Sequence, residues 1–277
     1  MIRTQMRENG KAIDVVTFEN HLDLLMHLES FPEHLENGSS HRITTDKSWV
    51  EQGWDETLEL LRSGWAKGVD AIDIIAEQIK TTINEDATEY LVDYEVTGDF
   101  LDVGRVLEGV PETFGFIEAQ EQPREELNII INLGASAGCD AKLLYNRGAV
   151  VVAIIDQLQA KYFLTVTVIT ETHATGWNLP RNIRMEVKLD MQNDYSRDLL
   201  AFYVANSGML RRVSFAVREM NFDTTDLGTY GHSENHGNVP EGTLHFKKVG
   251  DEAHCYKTLE RSIARCEEIL KQFNGRC

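Results

Sequence analysis

The stretch LNIIINLGASAGCDAKLLYNRGAVVVAIIDQLQAKYFLTVTVITE, residues 127–171, decides the fold of this chain. Its first seven residues, Leu127 to Leu133, are mostly apolar and rich in β-branched side chains, which is typical of a strand buried on both faces. Small residues then form a turn from Gly134 to Gly138. The helix that follows, Asp140 to about Lys161, is apolar on nearly every side in its middle, so we expect it to be enclosed. With Phe163 to Glu171 as a second strand, the spacing predicts a right-handed crossover in a parallel sheet.

Charge is the unusual global property of the sequence. The 277 residues include 27 basic and 45 acidic side chains, which gives a formal net charge of −18. This balance disfavours non-specific affinity for nucleic acid, because that affinity comes mainly from Lys and Arg on phosphates. It fits a need for solubility, and it also fits a basic protein partner.

Targeting features point to the cytoplasm. The longest uninterrupted apolar run, Ala149 to Ile155, is far shorter than the roughly 20 residues that span a bilayer, so we expect no membrane helix. Cys139, Cys255, Cys266 and Cys277 form no closely spaced pair, and the N-terminus has no basic-then-apolar leader. A soluble protein of a reducing cytoplasm is expected.

Three regions follow one another along the chain. Residues 1–47 form an N-terminal segment in which residues 1 to about 13 have no apolar period and should be frayed. A short helix near Phe18 to Leu28 follows them, with Phe18, Leu22, Leu25 and Leu28 on one face, and a loop ends the segment. Residues 48–121 form a helical and strand region packed on the core, and residues 122–277 form the core itself with a C-terminal helix from Glu252 to Phe273. The predicted fold class is α/β, a largely parallel sheet flanked by helices with an N-terminal helical region.

The carboxyl end of the first core strand is the first place to look for a site, because ligands of open α/β sheets gather there. Asn132, Gly134 and Ser136 resemble the Asp-x-Ser-x-Ser motif of von Willebrand factor A-type domains, in which it supplies a magnesium site. The resemblance implies a von Willebrand factor A-like core. It leaves only Ser136 as a matching Mg²⁺ ligand, and Mg²⁺ usually needs a carboxylate. We therefore favour a metal-independent partner surface of Asn132, Gly134, Ser136 and Cys139, with a plain structural turn as the alternative.

Alternation of Ile183, Met185, Val187 and Leu189 with polar residues predicts a later strand with one wet face. A helix in SGMLRRVSFAVRE, residues 207–219, then places three arginines on or beside its exposed side. Arg211, Arg212 and Arg218, with Phe215 for stacking, would suit a single-stranded nucleic acid. Ion pairs with local carboxylates are the alternative use of these arginines.

Histidines cluster between Gly228 and His254, where His232, His236, His245 and His254 stand in or beside a loop rich in glycine and asparagine. Imidazole suits zinc, so Zn²⁺ at His232 and His236 is a hypothesis alongside Mg²⁺ at Ser136. The spacing of these histidines does not match a helical HExxH site. We expect no cofactor and interpret the loop as a mobile contact element.

Four stretches carry a second resemblance. GWDETLELLRSGWAKGV, DYEVTGDFLDVGRVLEGVPE, LGASAGCDAKLLYNRGAVVVAIIDQL and SGMLRRVSFAVRE look like a group of uncharacterised proteins encoded mainly by bacteriophages. That resemblance implies action in the host cytoplasm but no particular reaction. The expected function is a non-enzymatic phage accessory protein that binds a protein partner through its strand-end loops. Two alternatives remain: a single-stranded nucleic-acid-binding factor in replication or transcription, and a metal-dependent enzyme that uses the histidine loop.

Overall fold

The fold is known from a computed structural model, which combines two β-sheets with a set of helices. It describes residues 1–8, 10–30, 50, 52–70, 72–73, 88–121, 124–135, 139–175, 180–192, 196–222, 232–234, 237 and 239–274. The strands are β1 (Ile2–Glu8), β2 (Lys11–Phe18), β3 (Thr88–Glu95), β4 (Phe100–Leu101), β5 (Phe114–Glu121), β6 (Glu125–Asn132), β7 (Tyr162–Thr175), β8 (Pro180–Asp190), β9 (His232–Ser233) and β10 (Leu244–Phe246). The helices are α1 (His21–Glu29), α2 (Trp54–Ser63), α3 (Val103–Leu107), α4 (Ala141–Leu158), α5 (Arg197–Ala205), α6 (Ser214–Asn221), α7 (Val249–Glu252) and α8 (Leu259–Asn274). A π turn, Met209–Val213, precedes α6, and a 3₁₀ turn, Ala253–Cys255, follows α7.

The larger sheet has seven strands in the order β1-β2-β8-β7-β6-β10, with β9 paired to β7. The pairs β2–β8, β7–β6 and β6–β10 are parallel, whereas β1–β2 and β8–β7 are antiparallel. A separate three-stranded antiparallel sheet has the order β3-β5-β4. The α/β class with helices beside the sheet is therefore confirmed, and the main sheet is mixed.

The central unit has the predicted form. Strands β6 and β7 pair in parallel, with Ile129 opposite Val166, and helix α4 connects them. Asp140 caps α4, because its carboxylate accepts a hydrogen bond from the backbone N–H of Lys142. Residues 146–155 of this helix are all buried, as expected for the apolar run Ala149 to Ile155, and Asn146 and Arg147 are buried with it.

One face of the main sheet forms the core with the helices. Ile131 of β6, Val168 of β7 and Val187 of β8 belong to one continuous apolar cluster with residues of α4, α5 and α8. Ile13, Val15 and Ile169 are also buried, but they lie outside this cluster. Their cross-strand partners place them on the opposite face, since side chains alternate along a strand.

The expectation for the N-terminus is wrong. Residues 1–13 belong to the hairpin of β1 and β2, and β2 joins the main sheet by parallel pairing to β8. The apolar residues of this strand show no recognisable period in the sequence. The strand is stabilised by pairing with a segment that lies about 170 residues further along the chain. In α1 the buried residues are His21, Leu24 and Leu28, while Leu22 is 55% exposed.

The exposure of one strand face and the start of one helix also differ from expectation. On β8, Lys188 is exposed as predicted, but Arg184 is only 1% exposed, so the face expected to be wet is dry at that position. The C-terminal helix α8 begins at Leu259, after the short elements α7 and Ala253–Cys255.

Within the described residues, no helix combines the length and the apolar character needed to cross a membrane.

Candidate functional site

The loop after β6 is fixed at its start by Asn132. This side chain is fully buried; its Oδ1 accepts a hydrogen bond from Gly134 N–H at 2.8 Å, and its Nδ2 donates to the carbonyl of Glu234 at 2.7 Å. A carboxylate could accept the first bond but could not donate the second. The amide at this motif position therefore attaches β6 to the chain that follows β9.

Gly134 permits a close approach of several segments. A Cβ at this position would lie 2.9 Å from Asn132 Oδ1 and 3.0 Å from Ser233 Cβ, and the Gly134 carbonyl accepts a hydrogen bond from Val249 N–H at 2.8 Å. Both Asn132 and Gly134 are buried, so they position the loop and do not themselves meet a partner. Ser136 lies outside the described residues.

Arg147 of α4 forms hydrogen bonds at the same end of the sheet. It is 1% exposed, and its Nη2 donates to the carbonyl oxygens of Asn132 at 3.0 Å and Lys247 at 2.8 Å. Burial lowers the pKa of this guanidinium, although Tyr256 and Glu252 oppose the shift. The sequence gives little indication of this role, since Arg147 is one of two cations, with Lys142, in a mostly apolar helix.

The three arginines predicted to face solvent are buried. Arg211, Arg212 and Arg218 are each 2% exposed, so the prediction of an exposed basic patch is wrong. Arg211 donates to the carbonyl of Cys139 at 3.1 Å, and burial lowers the pKa of its guanidinium. Arg218 lies 5.4 Å from the ring centroid of Phe215, which is itself buried. These side chains support the loop and the helices around it.

A recess opens where this loop enters helix α4. Its volume is about 770 Å³, and it lies between α2, the first turns of α4 and the segment that follows α5. The lining residues are Gln52, Glu56, Leu60, Gly64, Trp65, Ala66, Lys67, Asp140, Ala141, Lys142, Tyr145, Ala205, Asn206 and Ser207. We call this cavity the recess. Cys139, the last residue of the predicted site, directly precedes Asp140, which lines the recess.

The floor of the recess is a set of buried side chains bonded to one another. Asn206 Nδ2 donates to Gln52 Oε1 at 3.2 Å, Gln52 Nε2 donates to Thr57 Oγ1 at 3.3 Å, and Asn206 Oδ1 accepts from Gly208 N–H at 2.8 Å. A side chain at Gly208 would collide with the Gln52 amide. The π turn Met209–Val213 starts immediately afterwards, and such turns are frequent at functional sites.

The walls of the recess combine aromatic and charged groups. Trp65 and Tyr145 meet edge to face, with ring centroids 5.6 Å apart. Burial, followed by the negative charge of Asp70, raises the pKa of the Tyr145 hydroxyl. Two carboxylates, Glu56 and Asp140, and two ammonium groups, Lys67 and Lys142, complete the lining. Such a surface can hold a ligand that carries both signs of charge.

Comparison with known proteins gives a family for the whole chain. Residues 6–276 match the family model described as a domain of unknown function, DUF7192. The chain belongs to this family. No curated protein and no solved structure matches it.

The predicted metal residues of this DUF7192 chain are only partly described. The backbone of His232 forms β9 beside His173 of β7, whereas the His232 side chain and all of His236 lie outside the described residues. Within the described ranges, the structure contains no group of three or more His, Cys, Asp or Glu side chains placed to hold a metal.

Of the residues predicted for the partner surface, none that the structure describes lines the recess. Asn206-Ser207-Gly208 reads in the sequence only as a break between two helices, and Gln52 has no pattern at all. The available clue was that the polar residues Lys142 and Tyr145 stand three apart at the start of an apolar helix, which places them on one exposed side.

Proposed function

We propose that this protein is a non-enzymatic accessory factor that binds a segment of a partner protein in the recess beside the strand-end loop. The observation that carries the proposal is the recess itself, about 770 Å³ with a bonded polar floor. Ligand sites commonly have volumes of about 300–1,000 Å³ and occur beyond the carboxyl ends of sheet strands. The first turns of α4, which line the recess, follow the loop after β6.

The chemistry of the lining supports a peptide ligand. Buried amides such as Gln52 and Asn206 can bond to peptide groups, and the Trp65–Tyr145 wall can cover an apolar side chain. Lys67 and Lys142 on one hand, and Glu56 and Asp140 on the other, suit a segment with charges of both signs. The proposed setting, a phage-infected host cytoplasm, and the von Willebrand factor A-like character of the core rest on the sequence resemblances. Single-stranded nucleic acid is less well supported, because the three arginines that suggested it are buried.

A peptide selection tests the proposal. A random peptide library is selected on the full chain, and the recovered peptides are measured by calorimetry against Ala66→Trp, which places an indole at the exposed edge of the recess. We expect affinity to fall by about tenfold or more, because the indole occupies space that the peptide needs. Ala264→Trp on the exposed side of α8 is the matched control and should leave affinity unchanged. Peptides that bind both variants equally would show that the recess is not the binding site.

A further inference from the structure

Helix α3 of the small sheet turns its apolar side outward. Val103, Val106 and Leu107 stand at spacings of three and four, so they share one face of the helix. Their exposed fractions are 62%, 45% and 83%. We call these three residues the α3 stripe. An exposed group of large apolar side chains is uncommon on soluble proteins and usually marks a contact surface.

The orientation of the α3 stripe is fixed by contacts behind it. The carboxylate of Asp102 accepts hydrogen bonds from the N–H groups of Gly104 at 2.9 Å and Arg105 at 3.2 Å, and it also accepts one from the Tyr94 hydroxyl at 3.1 Å. The backbone bond from Arg105 contributes most to a lowered pKa of Asp102. Turning the apolar face of the helix inward would break the bond between Asp102 and Tyr94, which attaches the cap to the small sheet.

Arg105 holds the other side of α3. Its guanidinium lies 4.1 Å from the ring centroid of Tyr94, and its Nε donates to the carbonyl of Glu112 at 2.8 Å. The one cation of this segment is thus already engaged by the small sheet. Phe100 and Leu101 of β4, which precede α3 in the chain, are 38% and 47% exposed.

Charge around the α3 stripe is strongly one-sided. From Glu95 to Glu112 the chain carries five carboxylates, which belong to Glu95, Asp99, Asp102, Glu108 and Glu112, and the single guanidinium of Arg105. Like charges across an interface cost free energy, so a second copy of this acidic chain is a poor occupant. A partner with apolar side chains between lysines or arginines is complementary in both respects.

We infer that the α3 stripe is a docking surface for a basic amphipathic segment of a partner protein, separate from the recess. A segment of this kind buries its apolar residues against Val103, Val106 and Leu107, and its cations face the surrounding carboxylates. The apolar contact supplies affinity, and the acidic surroundings select the sign of the partner and accelerate encounter.

The test uses two synthetic amphipathic peptides, one of Leu and Lys and one of Leu and Glu, with fluorescence anisotropy on the full chain. We expect the Leu/Lys peptide to bind and the Leu/Glu peptide not to bind. The variant Val103→Ser with Leu107→Ser should weaken the Leu/Lys complex by about tenfold or more, because two buried apolar side chains are lost. The matched control is Leu22→Ser with Met26→Ser, which removes side chains that are 55% and 69% exposed on α1. This control should bind as the wild type does.

Four outcomes would overturn the inference. Equal weakening by both double variants would show that the peptide binds exposed apolar side chains without preference for the α3 stripe, and no weakening by either would show that it follows net charge alone. Concentration-dependent dimers that Leu107→Ser dissolves would assign the stripe to a second copy of this chain. Binding to neutral phosphatidylcholine vesicles that Leu107→Ser abolishes would assign it to a lipid surface. Circular dichroism of each variant verifies folding, and Ala66→Trp, which tests the recess, should leave Leu/Lys binding unchanged.

Discussion

Arg184 is the most heavily paired cation of the main sheet. Its guanidinium bonds Glu171 at 2.7 Å and Glu8 at 2.6 Å, and it lies 3.5 Å from Glu186. Burial alone lowers the pKa of Arg184, but the hydrogen bond and charge of Glu8 and Glu171 outweigh it and raise the pKa. Asn182 Nδ2 donates to Glu171 at 2.8 Å, which completes the partners of that carboxylate. A long cation can thus occupy a dry sheet face because its donors are matched by carboxylates.

The variant Glu171→Ala tests whether the paired carboxylates stabilise the buried Arg184. Glu171 is 2% exposed, so Glu171→Ala leaves a buried guanidinium with one strong partner instead of two. We expect the free energy of unfolding to fall by about 3 kcal/mol, as for other broken buried pairs. Urea unfolding measures the change. Glu186→Ala is the control: its side chain is 22% exposed and its contact is longer, so it should cost less than about 1 kcal/mol. Equal losses of unfolding free energy in the two variants would show that Glu171 is no stronger a partner of Arg184 than Glu186 is.

Helices α4 and α5 owe their close contact to one missing side chain. A Cβ on Gly148 would lie 2.5 Å from Ala205 Cα and 2.7 Å from the carbonyl oxygen of Val204. These are backbone atoms, which cannot move aside without shifting α5. Since Ala205 also lines the recess, the spacing of the two helices sets one of its walls.

Gly148→Ala tests the contact between these elements. Alanine favours helix by about 1 kcal/mol over glycine, whereas the overpacked contact should cost about 1–3 kcal/mol, so we expect a net fall in the free energy of unfolding of up to about 2 kcal/mol. Denaturant unfolding of the purified variant provides the measurement. Gly250→Ala, in α7 with nothing within 4 Å of its new Cβ, should keep or slightly raise stability. A stabilised Gly148→Ala protein would refute the proposed close packing.

One apolar cluster joins distant parts of the molecule. It runs from Val16 of β2 through Leu61 of α2 and the apolar residues of α4 between Leu144 and Leu158 to Phe273 near the end of α8. The main sheet and its helices should therefore unfold as one cooperative unit.

Cys266 reports on that unit. It is fully buried in α8, and burial, with the charge of Glu267, raises the pKa of its thiol to about 12. Iodoacetamide should modify it roughly a thousandfold more slowly than the partly exposed Cys255, since reaction requires global opening. Peptide mass spectrometry gives both rates. Rapid modification of Cys266 in native buffer would mean that α8 opens independently of the cluster.

The sequence by itself determined the central unit of the fold, because its pattern is local. A β-branched run, small residues and an enclosed apolar helix have few other arrangements, and β6, α4 and β7 follow them. The loop after β6 was predicted from the same pattern. It leads directly into Asp140, which lines the recess.

Only the tertiary structure decided which polar side chains are buried and which segments meet. Arg184 looks solvent-facing in its strand, yet one of its carboxylates, Glu8, lies 176 residues away. The recess likewise gathers residues near 52, 140 and 206 that share no periodic pattern. The physical reason is that burying a long charged side chain is favourable only when remote partners satisfy it. Periodicity describes the faces of one element and contains no information about what will cover them.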